Sequence, residues 1–414
     1  MDLLWLVRTR IADSLDRLPR YMCTETIQRT VYEPDIQDRS AACDEGPRPP
    51  MHAASSDKLR LDVAISSTVE MYSWVGESRF NDRDLRDMVQ EGAISNGVFA
   101  AFLAAIFRNG DSRFTYGVEK TQDDGTFVEF AFRVPYEKST YRYSARGGKR
   151  VITGYEGTFL VDPESGDLVE LIVRTSQLPA ETLACYAATT LHYARVRVKD
   201  AGFLLPTESR LRIVQTDGGE SENRTVFSGC HEFLGESNIT FGPPPDAPAL
   251  KTDRSPALDA LIIPQGLRFR VALTQSIDVA TAAAGDPVKA QLLTPIRDRT
   301  KVFVPAGAAV AARIVRVRHF YDNAAPISLH LKLETVDVGG VRVRLAAAPD
   351  IARGFAKTKK GSLQQRLDIG SLHGLEYHAA AFEFPNIQLI PSGLESMWVT
   401  SSPAPGDPGS MLPK

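Results

Sequence analysis

Apolar residues at helical spacing open the chain. Leu4, Val7, Ile11, Leu15 and Leu18 recur every three or four positions and Pro19 follows, so the spacing predicts an amphipathic helix that stops there. From Tyr21 the period changes to two. "YMCTETIQRTVYE" reads as a strand, and "KLRLDVAISSTVEMYSWVG" puts Leu59, Leu61, Val63 and Ile65 on one face. Between them lies a polar, Pro-rich stretch holding Cys43. Asn81 or Asp82 can cap a helical region that runs to Phe107, is interrupted near Gly92 to Gly97, and closes at Asn109-Gly110. Its last part, "GVFAAFLAAIF" (97–107), is apolar almost throughout and reads as a buried helix. Strands then dominate. "RFTYGVEKT" and "TFVEFAFRVPYE" form a hairpin around Asp123 to Gly125, and "STYRYSA" ends at Gly147-Gly148. "GTFLVDPESGDLVELIV" turns at Asp162 to Gly166, and "TLHYARVRV", "PTESRLRIVQTD" and "NRTVFSGCHEF" follow.

At 241–257 the pattern breaks into "FGPPPDAPALKTDRSPA", a semi-rigid linker by composition. Beyond it come only short strands. "GLRFRVAL" sets Leu267, Phe269, Val271 and Leu273 against Arg268 and Arg270, and "VFVPAGAAVAARIVRVRHF", "ISLHLKLETVDVGGVRVRLAAA", "HAAAFEFPNIQLI" and "ESMWVTS" continue the pattern. Such spacing with Gly/Pro turns predicts a small all-β barrel or sandwich. The fold class is therefore mainly β (α+β): an antiparallel sheet with covering helices over 1–242, a linker at 243–257, the small β domain over 258–402, and a disordered tail at 403–414.

Length and composition narrow the function classes. A chain of 414 residues predicts two domains, and 43% hydrophobic with 24% charged residues at net charge −3 is a globular profile, neither a nucleic-acid footprint nor a disordered one. Residues 258–400 hold 17 basic against 12 acidic side chains, so the remainder is acidic; an excess this small defines no partner. No apolar run reaches the roughly 18–20 residues that span a bilayer, so the chain is not membrane-spanning. Its start is not a good signal peptide either: the apolar run ends at Val7, Arg8 and Arg10 follow, and no A-x-A site appears. Either the protein is cytoplasmic, or the start lies downstream of the export signal.

Candidate chemistry centres on "TVFSGCHEFLGES" (225–237), where Cys230 and His231 stand beside Glu232 and Glu236. This is a nucleophile with its base, a metal corner, or a strand end held by a disulfide. Neighbours on a strand face opposite sides, so Cys230 and His231 cannot form a dyad, and no signature supports His192 as a distant base. The cysteines at 23, 43, 185 and 230 show no C-x-x-C spacing, all precede the linker, and each lies beside a strand. Two disulfides are expected ahead of buried thiols, catalysis or metal binding. The sequence-local pairing, Cys23–Cys43 and Cys185–Cys230, is favoured; its first loop, of about 20 residues, would contribute roughly 3 kcal/mol. Persistent disulfides imply an oxidising compartment and favour export.

Other motifs are absent: no G-x-S-x-G, Walker loop, G-x-G-x-x-G or H-E-x-x-H occurs. His373, Glu376 and His378, and the triplet Lys357, Lys359 and Lys360, read as solvated loops. Arg313, Arg316 and Arg318 read as the polar face of a strand, and the sequons at Asn223 and Asn238 are short enough to arise by chance. No catalytic residue, metal ligand or cofactor is expected. The aromatic content is more suggestive. Phe127, Phe130, Phe132, Tyr136, Tyr141, Tyr143, Tyr155 and Phe159 lie on consecutive strands that the apolar helix can cover. The plain reading is a core. The sharper one is an apolar cleft, with Phe99, Phe102, Leu103, Ile106, Phe130, Phe132, Tyr141, Tyr143 and Phe159 as its candidate ligand-binding residues.

An amphipathic helix, strands, an apolar helical insertion and a long meander together resemble the LolA/RseB-like half-barrel of bacterial lipoprotein-handling proteins over roughly residues 10–242. The G-x-F-x-V-D-P-x-(S/T)-G hairpin from Gly157 to Gly166 is the best local match. "RLPRYMCTETIQR" and "FSGCHEF" also resemble a group of exported bacterial envelope proteins to which no activity is attached. "PQGLRFRVAL", "AGDPVKAQL", "VFVPAGAAVAARIV" and "DVGG" are similar to the C-terminal β-barrel of TrbI-type conjugation and secretion scaffolds. The resemblances imply a curved half-barrel and a non-enzymatic protein on the periplasmic or extracellular face of a bacterial envelope. Its half-barrel would bind a lipid, lipoprotein acyl chain or peptide, and its barrel would dock on an envelope partner. The alternatives are a structural or adhesive module without ligand, and a thiol hydrolase using Cys230 with His192.

Overall fold

A computed structural model describes residues 3–35, 43, 49–67, 69–77, 80, 85–89, 92–95, 97–108, 110, 112–122, 125–144, 150–175, 178–233, 263–321, 327–350, 356–358, 361–363 and 379–402. The chain divides into two compact units, Met1–Leu234 and Gly235–Lys414. The linker at 243–257, the tail at 403–414, the turns at Asp123 and at Gly147-Gly148, and Asn81, Asp82, Asn109, Glu236, Asn238, Lys359, Lys360, His373, Glu376 and His378 lie outside the described residues.

In the first unit, α1 (Leu3–Arg17) is followed by β1 (Tyr21–Pro34), β2 (Met51–Ser66) and β3 (Val69–Trp74). The expected helical region is three short pieces: α2 (Leu85–Met88), α3 (Ala101–Leu103) and a π-helical turn at Ala104–Arg108. The meander comprises β4 (Arg113–Gln122), β5 (Gly125–Val134), the small hairpin of β6 (Arg142–Ser144) and β7 (Arg150–Ile152), β8 (Tyr155–Val161), β9 (Leu168–Thr175), β10 (Ala184–Val198), β11 (Ala201–Gln215) and β12 (Glu220–Glu232). The strands pair antiparallel in the order β3-β2-β1-β12-β11-β10-β9-β8-β5-β4, a large curved sheet that does not close into a barrel. The period-two pattern sets its faces. Tyr21, Cys23, Glu25, Ile27 and Arg29 of β1 are buried while the residues between them are half-exposed. The first and last long strands are neighbours inside the sheet, a pairing that local sequence does not reveal.

The hairpin between β8 and β9 is built by the residues quoted above. Gly157 lies so close to β9 that a Cβ there would collide with the carbonyl oxygen of Ile172. Asp162 accepts hydrogen bonds from the backbone N–H groups of Glu164 (2.8 Å) and Ser165 (3.0 Å), which hold its carboxyl below the usual range, and Gly166 closes the turn at φ +69°. Gly157, Asp162 and Gly166 of the motif each have a structural task.

The second unit has β13 (Arg268–Leu273), β14 (Ile277–Asp278), β15 (Pro287–Leu292), β16 (Ile296–Arg297), β17 (Val302–Val304), β18 (Ala309–Phe320), β19 (Ile327–Val338), β20 (Val341–Arg344), β21 (Ala347–Pro349), β22 (Ala356–Thr358), β23 (Gly361–Leu363), β24 (Ala379–Phe384), β25 (Leu389–Ile390) and β26 (Glu395–Thr400), with no helix among its described residues. The main order is β24-β19-β18-β15-β13-β26-β21. Phe269, Val271 and Leu273 point into a core with Leu329, Leu331, Phe382, Phe384 and Trp398, while Arg268 and Arg270 are exposed, as the alternation predicted.

Candidate functional site

The four cysteines form two disulfides, Cys23–Cys230 and Cys43–Cys185, and none is free. The sequence-local pairing is therefore overturned, by topology. Because β12 lies beside β1, Cys23 meets a bulge: the register passes from Met22↔His231 to Thr24↔Ser228, so Cys23 stands opposite both Gly229 and Cys230. Cys230 is consumed by this bond and offers no thiolate. His192 lies on β10 with Nδ1 3.7 Å from a Glu170 oxygen, and His231 Nδ1 is 2.7 Å from the Gly229 carbonyl. The thiol-hydrolase arrangement has lost its nucleophile.

Most of the aromatic residues pack on one another and fill space rather than line it, while Tyr136 is exposed. Phe130 and Phe159 stack at 5.2 Å between centroids, and Phe107 meets Phe159 edge-on at 5.0 Å. Phe102 stacks on Tyr141 at 5.7 Å, and Phe132 and Ile106 are buried. Tyr143 is half-buried on the β6–β7 hairpin. Of the nine candidate binding residues, Phe99 and Leu103 border an open space.

That space is a groove of about 250 Å³ beside α1. Val7 and Ile11 bury the inner stripe of α1, while Leu15 and Leu18, at the end of the same stripe, stay half-exposed and form one wall. Phe99 and Leu103 form another, and Phe203, Leu204 and Leu205 of β11 complete the apolar lining. Arg10, Asp13, Arg17, Asp167 and Arg195 carry its charge. α1 is held against the π-helical turn by Arg8 Nε donating to the Phe107 carbonyl (3.4 Å) and by an ion pair of Arg108 with Asp16 (3.0 Å). Sequence periodicity marked Ile11, Leu15 and Leu18 as a stripe, but nothing in it pairs that stripe with β11.

Polar groups, half-buried at Glu70 and buried at Asn223, hold the segment that carries Phe99. The Glu70 carboxylate accepts from Tyr72 Oη (2.6 Å), the Gly97 N–H (2.5 Å) and the Phe99 N–H (3.1 Å), and burial still raises its pKa. Asn223 Nδ2 donates to the Ala93 carbonyl at 2.8 Å. Arg29 makes a buried two-pronged ion pair with Asp57, at 2.6 and 2.5 Å, on the same face. Glu25 is 3% exposed with no hydrogen-bond or ion-pair partner among the described residues; burial first, and Glu70 second, push its pKa well above the carboxylate range. The hydroxyls of Tyr21 and Tyr193 are buried without partners among the described residues, and burial raises both pKa values.

Among the described residues no group of three or more His, Cys, Asp or Glu side chains is placed to hold a metal ion, and no helix is long and apolar enough to cross a membrane. No family model and no curated protein matches the chain. Two solved structures align over 56% of this chain and 93% of their own. One is a domain named for outer membrane lipoprotein sorting, from Vibrio parahaemolyticus, 9% identical with a TM-score of 0.29. The other is a DUF1329 family protein from Desulfovibrio piger, 8% identical with a TM-score of 0.27. Neither overlay is tight enough to assign this chain a fold or a ligand.

Proposed function

We propose that this is a non-enzymatic cell-envelope protein whose first unit binds an apolar moiety, a lipid, acyl chain or peptide segment, in the groove beside α1. The single observation carrying this reading is the groove itself: Leu15, Leu18, Phe99, Leu103 and Leu205 converge on a space that the chain leaves unfilled. Its volume of about 250 Å³ is below the ~300–1,000 Å³ of whole drug-sized sites, which suits one short apolar segment. Two disulfides support an oxidising compartment, hence the periplasm or an extracellular face. Docking on an envelope partner falls, in this reading, to the second unit. A scaffold without ligand is the second reading, and the filled aromatic cluster around Phe159 favours it.

The test is direct. Protein purified from its native envelope should release extractable lipid, and the purified chain should bind an uncharged C10 alcohol. Leu15→Arg, which puts a charge into one wall of the groove, should weaken that binding at least tenfold without lowering stability by more than ~1 kcal/mol, since Leu15 is only half-buried. No extractable lipid and no binding of the alcohol would leave the scaffold reading in its place.

A further inference from the structure

The charges around the groove are unequal, and the inequality names a ligand class. Three arginines, Arg10, Arg17 and Arg195, face two aspartates, Asp13 and Asp167. Arg195 closes both prongs of its guanidinium on Asp167, with Nε and one terminal nitrogen each at 2.7 Å. Arg17 pairs with Asp13 at 3.1 Å, one helical turn away. Arg10, exposed on the same helix one turn before Asp13, has no hydrogen-bond or ion-pair partner among the described residues. Its stem is not loose in solvent: the Cδ of Arg10 would lie 3.5 Å from a Cβ placed on Gly166, so the side chain runs along the β8–β9 turn at the edge of the groove.

We infer that the groove takes a single-chain anionic amphiphile, carboxylate or phosphate, with Arg10 pairing the head group. This rests on the apolar-groove reading and adds the head to its tail. A cationic head would find both rim aspartates already engaged. A neutral head would leave the exposed Arg10 guanidinium with water alone. An anionic head gives it a charge-assisted partner. The tail is limited by space. The groove's volume of about 250 Å³ lies below that of sites for whole drug-sized molecules and suits one short tail rather than a two-chain lipid.

The experiment uses the full chain with its disulfides intact and three ligands of equal tail: decanoate, decyl phosphate and decanol. Wild type should bind at least one of the anions about tenfold more tightly than decanol at low salt, with the preference shrinking in 0.5 M salt. Arg10→Gln should abolish the preference, so that the variant binds the anions no more tightly than decanol. The anion that shows the Arg10-dependent preference identifies the head group as carboxylate or phosphate, and preference for both assigns the site to either. Equal binding of all three ligands by wild type, or a preference that survives in Arg10→Gln, overturns the head-group assignment and leaves the apolar groove standing. If none of the three binds, the groove reading itself falls.

Discussion

The first unit carries all four cysteines, two carboxyls whose pKa is raised by burial, and an open groove. The second carries no cysteine, a continuous apolar core, and a buried imidazole. Both are antiparallel sheets with period-two faces, and besides the helices that only the first carries among the described residues, they differ in what those faces bury. The first sheet places polar groups (Glu25, Glu70, Arg29, Tyr21) on the face the second fills with Phe269, Phe382, Phe384 and Trp398. Polar groups on that face take the place of apolar contacts, and two covalent cross-links add to the stability of the first unit.

Reduction should separate the two units most sharply. The disulfides span 207 and 142 residues, and loop closure alone gives each about 5 kcal/mol. The shorter loop lies inside the longer, so the two values do not add. Hydrogen exchange after reduction, or in Cys23→Ser/Cys230→Ser, should show protection collapsing across β1, β2 and β12 while β13, β18 and β26 keep theirs. Equal loss in both units would mean that the staples serve the whole chain.

Acid should sharpen the comparison further, because one buried group in each unit responds to it with opposite sign. Burial first, then the positive fields of Arg316 and Arg318, push the pKa of His330 down to about 3. The unfolded chain therefore takes the proton first, and the second unit loses stability as pH falls below about 6.5 toward 3, at up to ~1.4 kcal/mol per pH unit. His330→Gln should flatten that slope in a pH series of exchange measurements on the second unit. Glu25 runs the other way. Its folded-state pKa is raised, so its contribution is fully present at low pH and lost as pH rises through the folded value. Glu25→Gln should raise the stability of the first unit at pH 8 and change it little at pH 4. If mild acid weakens the first unit as much as the second, the buried carboxyl is not the source of the difference.

Much of this was legible from residue order. The stripe from Leu4 to Leu18 gave α1, the alternation of Leu59 to Ile65 gave β2, and that of Leu267 to Leu273 gave β13, because side-chain periodicity is a local property of the backbone. The apolar run at 97–107 was recognisable as buried, yet it forms three helical residues and a π turn rather than one helix. Hydrogen bonds that Glu70 accepts fix its first residues, Gly97 and Phe99, and one that Asn223 donates fixes Ala93 before it, and those partners come from β3 and β12, distant in sequence. Of the candidate cleft, Phe99 and Leu103 border the groove, while Leu205 and Arg195 were missed because their place depends on how β10 and β11 end against α1.

By itself the sequence determined the period of each segment, the position of most strands and the pairing of sulfur with sulfur as a class. Those follow from local sterics and from the company each cysteine keeps. Only the tertiary structure decided which sulfur meets which, which aromatic rings close on one another, and which apolar residues are left facing space. These depend on strand order, and a sheet that sets its first long strand beside its last brings together residues more than two hundred positions apart.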